Sequence, residues 1–483
     1  MREEGCAVSE PARPVVSQQI LNELAMESAL QEVNPAQDFV GGKFYYGCIV
    51  GKNRYLVTSD RSMIPIDDPN SIGLRLTAAN FSRSRFSGQG IKSFLQEETA
   101  LTASEIHGNL VSYLKRFVVL GGKGQHEFLA LWVMGTYVFR IFRYFPYLHV
   151  TGEKGSGKSA LSEVLSPLCF NSLAMVSVTP AVMFREIQNN SSTLLIDEVE
   201  NLNGSDREKR SDIMSVLNQG FSKAGQVIRC GGENFEKIHT FSTYSPKMLI
   251  GINELDNVLR ERVIRIRILR KRHDEVVEHD TESDSVITTQ KKLRDDLYGF
   301  GLTCGKRIAD LYREHFHDIR GLESLANREA DLWAPIMAIA NLVDADGSTV
   351  TDLMRDLSAQ CKAERVEDDQ EDSQMMVVAS ALNHMIKEET PVGGEPDCPL
   401  FDSDTAYRFI MREYGFEWSI SKTKLTQMVM RVGVKVKNAK VNGKTKRCYQ
   451  VPLAALQDFS NRYPVDSQTV TVTESVTTNM AVS

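Results

Sequence analysis

Residues 151–160 read TGEKGSGKSA, directly after the apolar run YLHV at 147–150. From Gly152 to Ser159 the stretch fits G-x-x-x-x-G-K-[ST] at every fixed position. Glycines let such a loop wrap, so that the backbone N–H groups of Gly152, Glu153, Lys154, Gly155, Ser156 and Gly157 turn inward on phosphate oxygens. A helix beginning near Lys158 adds the partial positive charge of its N-terminus. Lys158 is placed to reach β- and γ-phosphates, and Ser159 to offer a hydroxyl to Mg²⁺. The expected setting is strand, loop, helix.

A second element extends the reading. STLLIDEVENL (192–202) is an apolar strand ending in two carboxylates, with Asp197 following Lys158 by 39 positions. Asp197 is placed to hold the Mg²⁺ shell, and Glu198 to orient and deprotonate a water. The region alternates strand-like and helical runs: AMVSVT, PAVMFREIQ, STLLID, a polar helix over about 205–222, KMLIGIN, then VIRIRIL. Such alternation predicts an α/β fold, a parallel sheet covered by helices.

The pairing of GEKGSGKS with LLIDE resembles the AAA+ P-loop ATPases. That resemblance implies ATP and Mg²⁺ as ligands and an oligomeric ring. KMLIGIN (247–253) is similar to the sensor-1 strand, whose asparagine, here Asn253, positions the attacking water. NVLRERVIRIRI (257–268) places two arginines before the last core strand, where the family supplies an arginine finger to a neighbouring subunit. Arg262 fills that role, with Arg260 as the alternative. NREADLWAPIMAIANLV (327–343) resembles helicase-like ATPases of phages and bacterial mobile elements, and Arg328 opens the helix where a sensor-2 arginine or a capping arginine sits. Such ATPases often follow a primase module. The first 98 residues here are too short for one, so a primase would be a separate partner.

Composition bounds the partners. The 483 residues carry a net charge of −7, so a polyanion site must be a local patch. Hydrophobic residues are 42% and charged residues 25%, ordinary for a soluble globular chain. The eight cysteines form no CxxC pair, which fits reduced thiols in a cytoplasmic compartment. The longest apolar run, FLALWVMGTYVFRIF (128–142), has 15 residues and an internal arginine, so it reads as a buried helix and no membrane is expected.

The expected organisation is a polar N-terminus (1–37), a small β-rich module (38–98), the ATPase core (99–272), a helical lid (273–363), an acidic linker ERVEDDQED (364–372), a basic winged-helix-like domain (373–463) and a disordered tail (464–483). Within the core, QVIRCGGENFEKIHTF (226–241) reads as a hairpin before the sensor-1 strand. Helicase-like AAA+ proteins of superfamily III and the MCM group carry such a hairpin, pointing into the ring's pore. Phe235 and Lys237 would there meet single-stranded DNA, with Arg229 and His239 in support. A plain surface hairpin is the competing reading, and Glu233 and Glu236 favour it.

Residues 401–463 hold twelve Lys/Arg against five Asp/Glu. Three helical patterns precede VKVKNAKVNGKTKRCYQV (434–451), whose Asn442-Gly443 is a two-residue hairpin signal. That sequence resembles a winged helix. The implied duplex contacts are Lys422, Lys424 and Arg431 on the third helix, with Lys435, Lys437, Lys440, Lys444, Lys446 and Arg447 on or beside the wing. The reading this supports is a hexameric or similar ring, an ATP-dependent DNA helicase or translocase in replication of a mobile element. A non-unwinding switch on DNA, and an ATPase remodelling a protein, remain open.

Overall fold

The computed structural model describes residues 30–66, 73–78, 81–98, 100–175, 179–197, 207–231, 237–251, 255, 257–270, 277–323, 325, 327–344, 349–414, 421–441 and 443–462. The chain divides into two compact units, residues 1–361 and 362–483.

The first unit opens with short strands β1 (Gln31–Val33), β2 (Gln37–Val40), β3 (Lys43–Val50), β4 (Asn53–Thr58), β5 (Met63–Pro65) and β6 (Leu74–Leu76). β2 to β5 form an antiparallel meander, and β1 pairs with β6 in parallel. After the helices Ala103–Phe117 and Gln125–Thr136 come β7 (Tyr147–Gly152), β8 (Leu173–Met175), β9 (Leu194–Ile196), β10 (Gln226–Gly231), β11 (Lys237–Ser242), β12 (Lys247–Ile250) and β13 (Val263–Ile268). Five of these make one wholly parallel sheet in the order β13-β7-β12-β9-β8. β9 and β12 are buried at every residue, which is why LLI and KMLI read as unbroken runs rather than alternating ones. Helices Lys158–Leu165, Pro180–Asn190 and Arg207–Gln219 make the crossovers.

The helix Gln125–Thr136 is buried nearly all round, with Phe128 to Met134 at 0% exposure, as its unbroken apolar sequence requires. Trp132 donates its indole N–H to Pro146 O at 3.0 Å, and Phe128 packs against Trp333 of the helix Asn327–Val343. That helix and Asp284–Glu314 share one hydrophobic cluster with the parallel sheet.

The β-rich segment does not stand apart as expected. Tyr46 of β3 meets Tyr298, Phe170 and Phe44 edge to edge or tilted at 5.0–5.6 Å, and its hydroxyl donates to Tyr137 O. Phe44, Tyr46, Cys48 and Val57 belong to the same core as the parallel sheet. FYYGC is buried at all five positions, so this strand has no solvent face to close a domain of its own.

The second unit holds β14 (Gly393–Glu395), β15 (Cys398–Asp402), β16 (Lys435–Val441) and β17 (Lys444–Gln450), antiparallel in the order β14-β15-β17-β16. Helices Ser403–Tyr414, Lys422–Arg431 and Leu453–Arg462 pack Phe409, Val429 and Leu456 against Tyr449 and Phe401. The expected hairpin is present: Val441 faces Lys444, and Gly443 has φ +77° as the tight turn demands. β14, β15 and the last helix were not foreseen. The acidic run 364–372 is not a break between elements: it lies within the helix Val350–Glu388, and the division between units falls inside that helix too. Glu, Gln, Lys and Arg are good helix formers, so charge alone does not end a helix. The segments 1–29 and 464–483 lie outside the described residues.

Two glycines on one helix test the shared core. A Cβ at Gly301 would meet the Tyr46 hydroxyl at 1.9 Å, whereas one at Gly299 meets open space. Gly299→Ala should stabilise the chain by up to about 1 kcal/mol through helix propensity. Gly301→Ala should destabilise it by about 1–3 kcal/mol despite the same propensity gain. Urea unfolding of the two variants checks both signs.

Candidate functional site

The phosphate-type loop leaves the carboxyl end of β7 where strand order reverses. β7 is followed in the chain by β8 at the far edge, while β13 closes on its other side. Crevices of this kind, outside the carboxyl ends of parallel strands, are where open α/β sheets bind ligands.

Gly152 closes β7 and pairs with Ile268 of β13. A Cβ there would meet Ile268 O at 2.5 Å and Ser156 Oγ at 2.6 Å, so only glycine permits the approach. Gly157 precedes the helix Lys158–Leu165 with φ +98°, a left-handed value that turns the chain from loop into helix. Lys158 Nζ folds over the loop and donates to Gly152 O at 2.8 Å and Glu153 O at 2.9 Å. Ser156 is buried, and its hydroxyl finds no partner among the described residues.

The loop meets the second motif. Ser159 Oγ donates to Asp197 Oδ2 at 3.2 Å. Asp197 follows β9, and its N–H donates to Met175 O at 2.9 Å, which extends the ladder to β8 and fixes the turn. A helix N-terminus, a lysine, a serine and an aspartate therefore converge at one end of the sheet. Glu198 and Asn253 lie outside the described residues.

Two contributors were not foreseen. Arg270 donates Nη2 to Lys154 O at 2.8 Å and lies 3.6 Å from Glu153, so the exit of β13 fastens the outer arm of the loop. The register Gly152↔Ile268 puts position 270 there, and register is not visible in a basic run such as LRKR. His149 of β7 is buried, and its Nε2 has no partner among the described residues. Burial first, then Arg265 and Arg260, push its pKa down to about 3, so the ring is neutral at neutral pH.

The arginines lie at the other end of the sheet. Arg262 precedes β13, and its backbone O accepts from Tyr147 N at the start of β7. Its guanidinium donates to Asn218 O at 3.0 Å and to Val258 O. Arg260 ends the short helix Asn257–Arg260 beside it. Arg328 lies over Phe221 and Tyr144 at 5.2 and 5.9 Å and faces Asp331 at 3.8 Å. Tyr144 precedes β7 and bridges to Ser222. About 16 Å of strand, the length of β7, separates Arg262 and Arg328 from the phosphate-type loop of the same chain, whereas Arg260 is near enough to act on His149 midway along β7. Of the two roles the sequence left open for Arg328, sensor-2 or capping, neither is decided by its place within one chain, which is at the end of the sheet away from the loop.

The hairpin β10–β11 is in register from Gln226↔Ser242 to Gly231↔Lys237. One face packs inward through Val227 and through Phe241, whose ring lies 4.5 Å from Phe184. Arg229 is turned to the chain itself, 3.1 Å from Asp212 and over the Phe184 ring. His239 is exposed, Lys237 opens β11, and Phe235 lies outside the described residues. The other face carries Ile228 and Ile238, 63% and 72% exposed, with the exposed Cys230 opposite Ile238.

In the second unit, cross-strand pairing sorts the basic residues, because partners share a face and neighbours alternate. The face with Val436 and Tyr449 lies against the helix Lys422–Arg431, where Thr426 Oγ1 and Tyr449 OH are 2.9 Å apart. Lys440 and Arg447 continue that face; Lys435, Lys437, Lys444 and Lys446 lie on the reverse. Lys446 donates to the buried Asp402 at 2.7 Å, and Lys422 to Asp404 at 2.9 Å, so two of the nine expected cations already hold carboxylates. Lys424 and Arg431 line a groove of about 540 Å³ with Gln374, Gln427 and Met430. Gln427, one helical turn from each, was not foreseen.

No helix among the described residues is long and apolar enough to cross a membrane. No family model matches the sequence, and no curated protein matches it. Among solved structures, the chain is similar to SCCmec type IV Cch, described as an active helicase, at 9% identity and TM-score 0.38, over 88% of this chain and 92% of that one. It is similar to the C-terminal region of NrS-1 at 11% identity and TM-score 0.30, over 89% and 98%. JCV helicase follows at 15% identity and TM-score 0.25, over 57% and 71%. Scores this low establish no shared fold, so the reading of the site rests on its own geometry.

His149 gives the site a pH signature. Its pKa is near 3 folded against about 6.5 unfolded, so its contribution is whole above pH 6.5 and is lost as pH falls toward 3. His149→Leu should flatten the unfolding free energy across that window by a few kcal/mol relative to the parent chain. Chemical unfolding at a series of pH values checks it.

Proposed function

We propose that the chain is an ATPase of the AAA+ type, binding Mg-ATP at Gly152–Ser159 and Asp197 and working as an oligomeric ring on DNA. The observation that carries this reading is the Ser159–Asp197 hydrogen bond at the mouth of a glycine-built loop. Two hard oxygen donors beside a helix N-terminus suit Mg²⁺, which prefers few protein oxygens plus phosphates. Ser159 and Asp197 would hold it, and bound there it neutralises phosphate charge.

The chain's own groups account for the rest. Backbone N–H groups of the loop and the helix N-terminus bind the phosphates. Lys158, now on two carbonyls of the loop, is within reach of a phosphate placed there. Glu198, following Asp197, takes the proton from the attacking water, and Asn253 orients that water. Arg262 and Arg328 stand at the far end of the sheet from their own loop, so they serve a neighbouring chain's site, with Arg260 as the alternative to Arg262. This is the basis for a ring; its size, a hexamer in the family resembled, rests on that resemblance.

The load is DNA. Lys237, His239 and Phe235 of the hairpin contact a single strand, while Lys424 and Arg431 at the groove and Lys440 and Arg447 on the sheet give a winged-helix-like unit cations for a duplex. Arg229, Lys422 and Lys446 are engaged within the chain, so they support this surface rather than lead it. A switch that assembles on DNA without unwinding it is the second reading, favoured by those internal ion pairs.

Three results test the proposal. Glu198→Gln should lower ATP turnover by a factor on the order of 10²–10⁴ while nucleotide still binds; full turnover would remove the base assignment. Lys158→Ala and Arg262→Ala chains should each be inactive alone and regain turnover when mixed, because one supplies the loop and the other the arginine. No recovery on mixing would count against a shared site. Single-stranded DNA should raise the hydrolysis rate in a salt-dependent way, and strand displacement separates a helicase from a switch.

A further inference from the structure

Lys247, the first residue of β12, is fully buried. Its Nζ donates to Thr243 O at 2.9 Å, Ser245 O at 3.1 Å and Ser245 Oγ at 3.3 Å, with Gly220 O at 3.5 Å. The Tyr147 ring lies 4.8 Å from it. Among the described residues no carboxylate acts on it, and burial pushes its pKa well below the ordinary lysine value. A buried ammonium without a counter-ion is costly, and an apolar chain of similar length would fill the space more cheaply. Packing does not explain a lysine here.

The acceptors do. Gly220 lies on the segment leading into β10, and Thr243 and Ser245 lie on the segment leaving β11. The ammonium therefore joins the two legs of the hairpin at its root. The legs are tight: a Cβ at Gly220 would meet Thr243 O at 2.3 Å and Lys247 Nζ at 2.5 Å, and Thr243 N donates to Gly225 O at 3.0 Å. Without the ammonium, three buried carbonyls and a hydroxyl would lose a shared donor.

The other end of β12 belongs to the nucleotide site. β12 pairs on one side with β7, which carries the phosphate loop, and on the other with β9, which carries Asp197. Gly251, just past its end, donates to Val150 O at 3.2 Å. One strand of four residues thus has the loop and Asp197 around its carboxyl end and the hairpin root at its amino end.

We infer that Lys247 is a positioning residue: a hydrogen-bonding pin that fixes the hairpin to β12, so that a change at the nucleotide end of the strand is delivered to the hairpin. The inference rests on the nucleotide-binding reading above. A central strand bonded on both sides is stiff along its axis, and the pin makes the hairpin move with it rather than hinge at its legs. Val227 and Phe241, the Arg229–Asp212 ion pair at 3.1 Å and the Ser242 N–H bond to Gln188 Oε1 at 2.9 Å tie the hairpin to the flanking helices; Lys247 ties it to β12 itself.

Hydrogen exchange on the full chain, with and without MgADP or a slowly hydrolysed ATP analogue, tests this. In the parent chain, nucleotide should slow exchange in 152–159 and also change exchange in 226–242. Lys247→Met and Lys247→Gln should keep the protection at 152–159 and lose the response at 226–242. A variant whose hairpin responds as the parent's does overturns the inference. So does a parent hairpin indifferent to nucleotide while its loop is protected, and this arm decides the matter even where Lys247→Met does not fold. A parent loop that nucleotide does not protect overturns the nucleotide reading itself, and the inference with it.

Discussion

The site depends on a reach across one strand. Ser159 belongs to the helix that follows the loop after β7, and Asp197 to the end of β9, yet β12 lies between those strands. At ordinary strand spacing the two are about 10 Å apart. The loop must therefore swing over the carboxyl end of β12 before its helix can begin, and the geometry of Gly152 and Gly157 makes that swing possible. Arg270 holds the loop from the β13 side. The hydrogen bond is thus a product of strand order, two glycine conformations and one arginine, and the loss of any of them would separate the motifs.

The same sheet separates its own chemistry. The glycine loop, Lys158, Ser159 and Asp197 gather at the carboxyl ends of the strands, and Arg262 and Arg328 at the amino end, where Arg328 lies on two aromatic rings. Side chains cannot cross a sheet one strand length deep. Under the proposed function, each molecule holds the fuel-binding half of one site and the charge-stabilising half of another. Hydrolysis then becomes a property of assembled molecules, and the amino end of the sheet is as functional as the loop.

The parallel sheet and its loop were legible because each element carries its own signal. YLHV, STLLID, KMLI and VIRIRI are apolar runs, and the chemistry sits at their ends in sequence as in space. The hairpin at 442–443 was legible because its turn needs a residue type that is visible. What stayed hidden depends on partners distant in sequence. β15 contains Pro399 in an inner strand, a residue that argues against a strand until its carbonyl is seen to accept from Val451. The meander around Tyr46 looked like a module because local alternation does not say whose core the outer face enters. Arg328 stayed open between two roles, because a resemblance along one helix does not record which end of a sheet that helix meets. Nothing in KMLIGIN marks Lys247 as buried, since its acceptors Thr243 and Ser245 sit in an ordinary polar turn and Gly220 joins them only in the fold.

The hairpin β10–β11 pairs only with itself among the described residues, and its outward face shows two exposed isoleucines and a thiol. Two open strand edges beside an apolar strip are the ordinary makings of aggregation, and proteins usually blunt them with charge, proline or cover. Here the strip itself offers none of the first two. Under the proposed function, a ring that gathers its hairpins at the centre would hide all of them at once, and assembly would act as a solubility device as well as completing the site. Handling this chain without nucleotide or DNA, as dispersed subunits, would expose the face that assembly conceals, and colloidal behaviour would then report on the state of the ring.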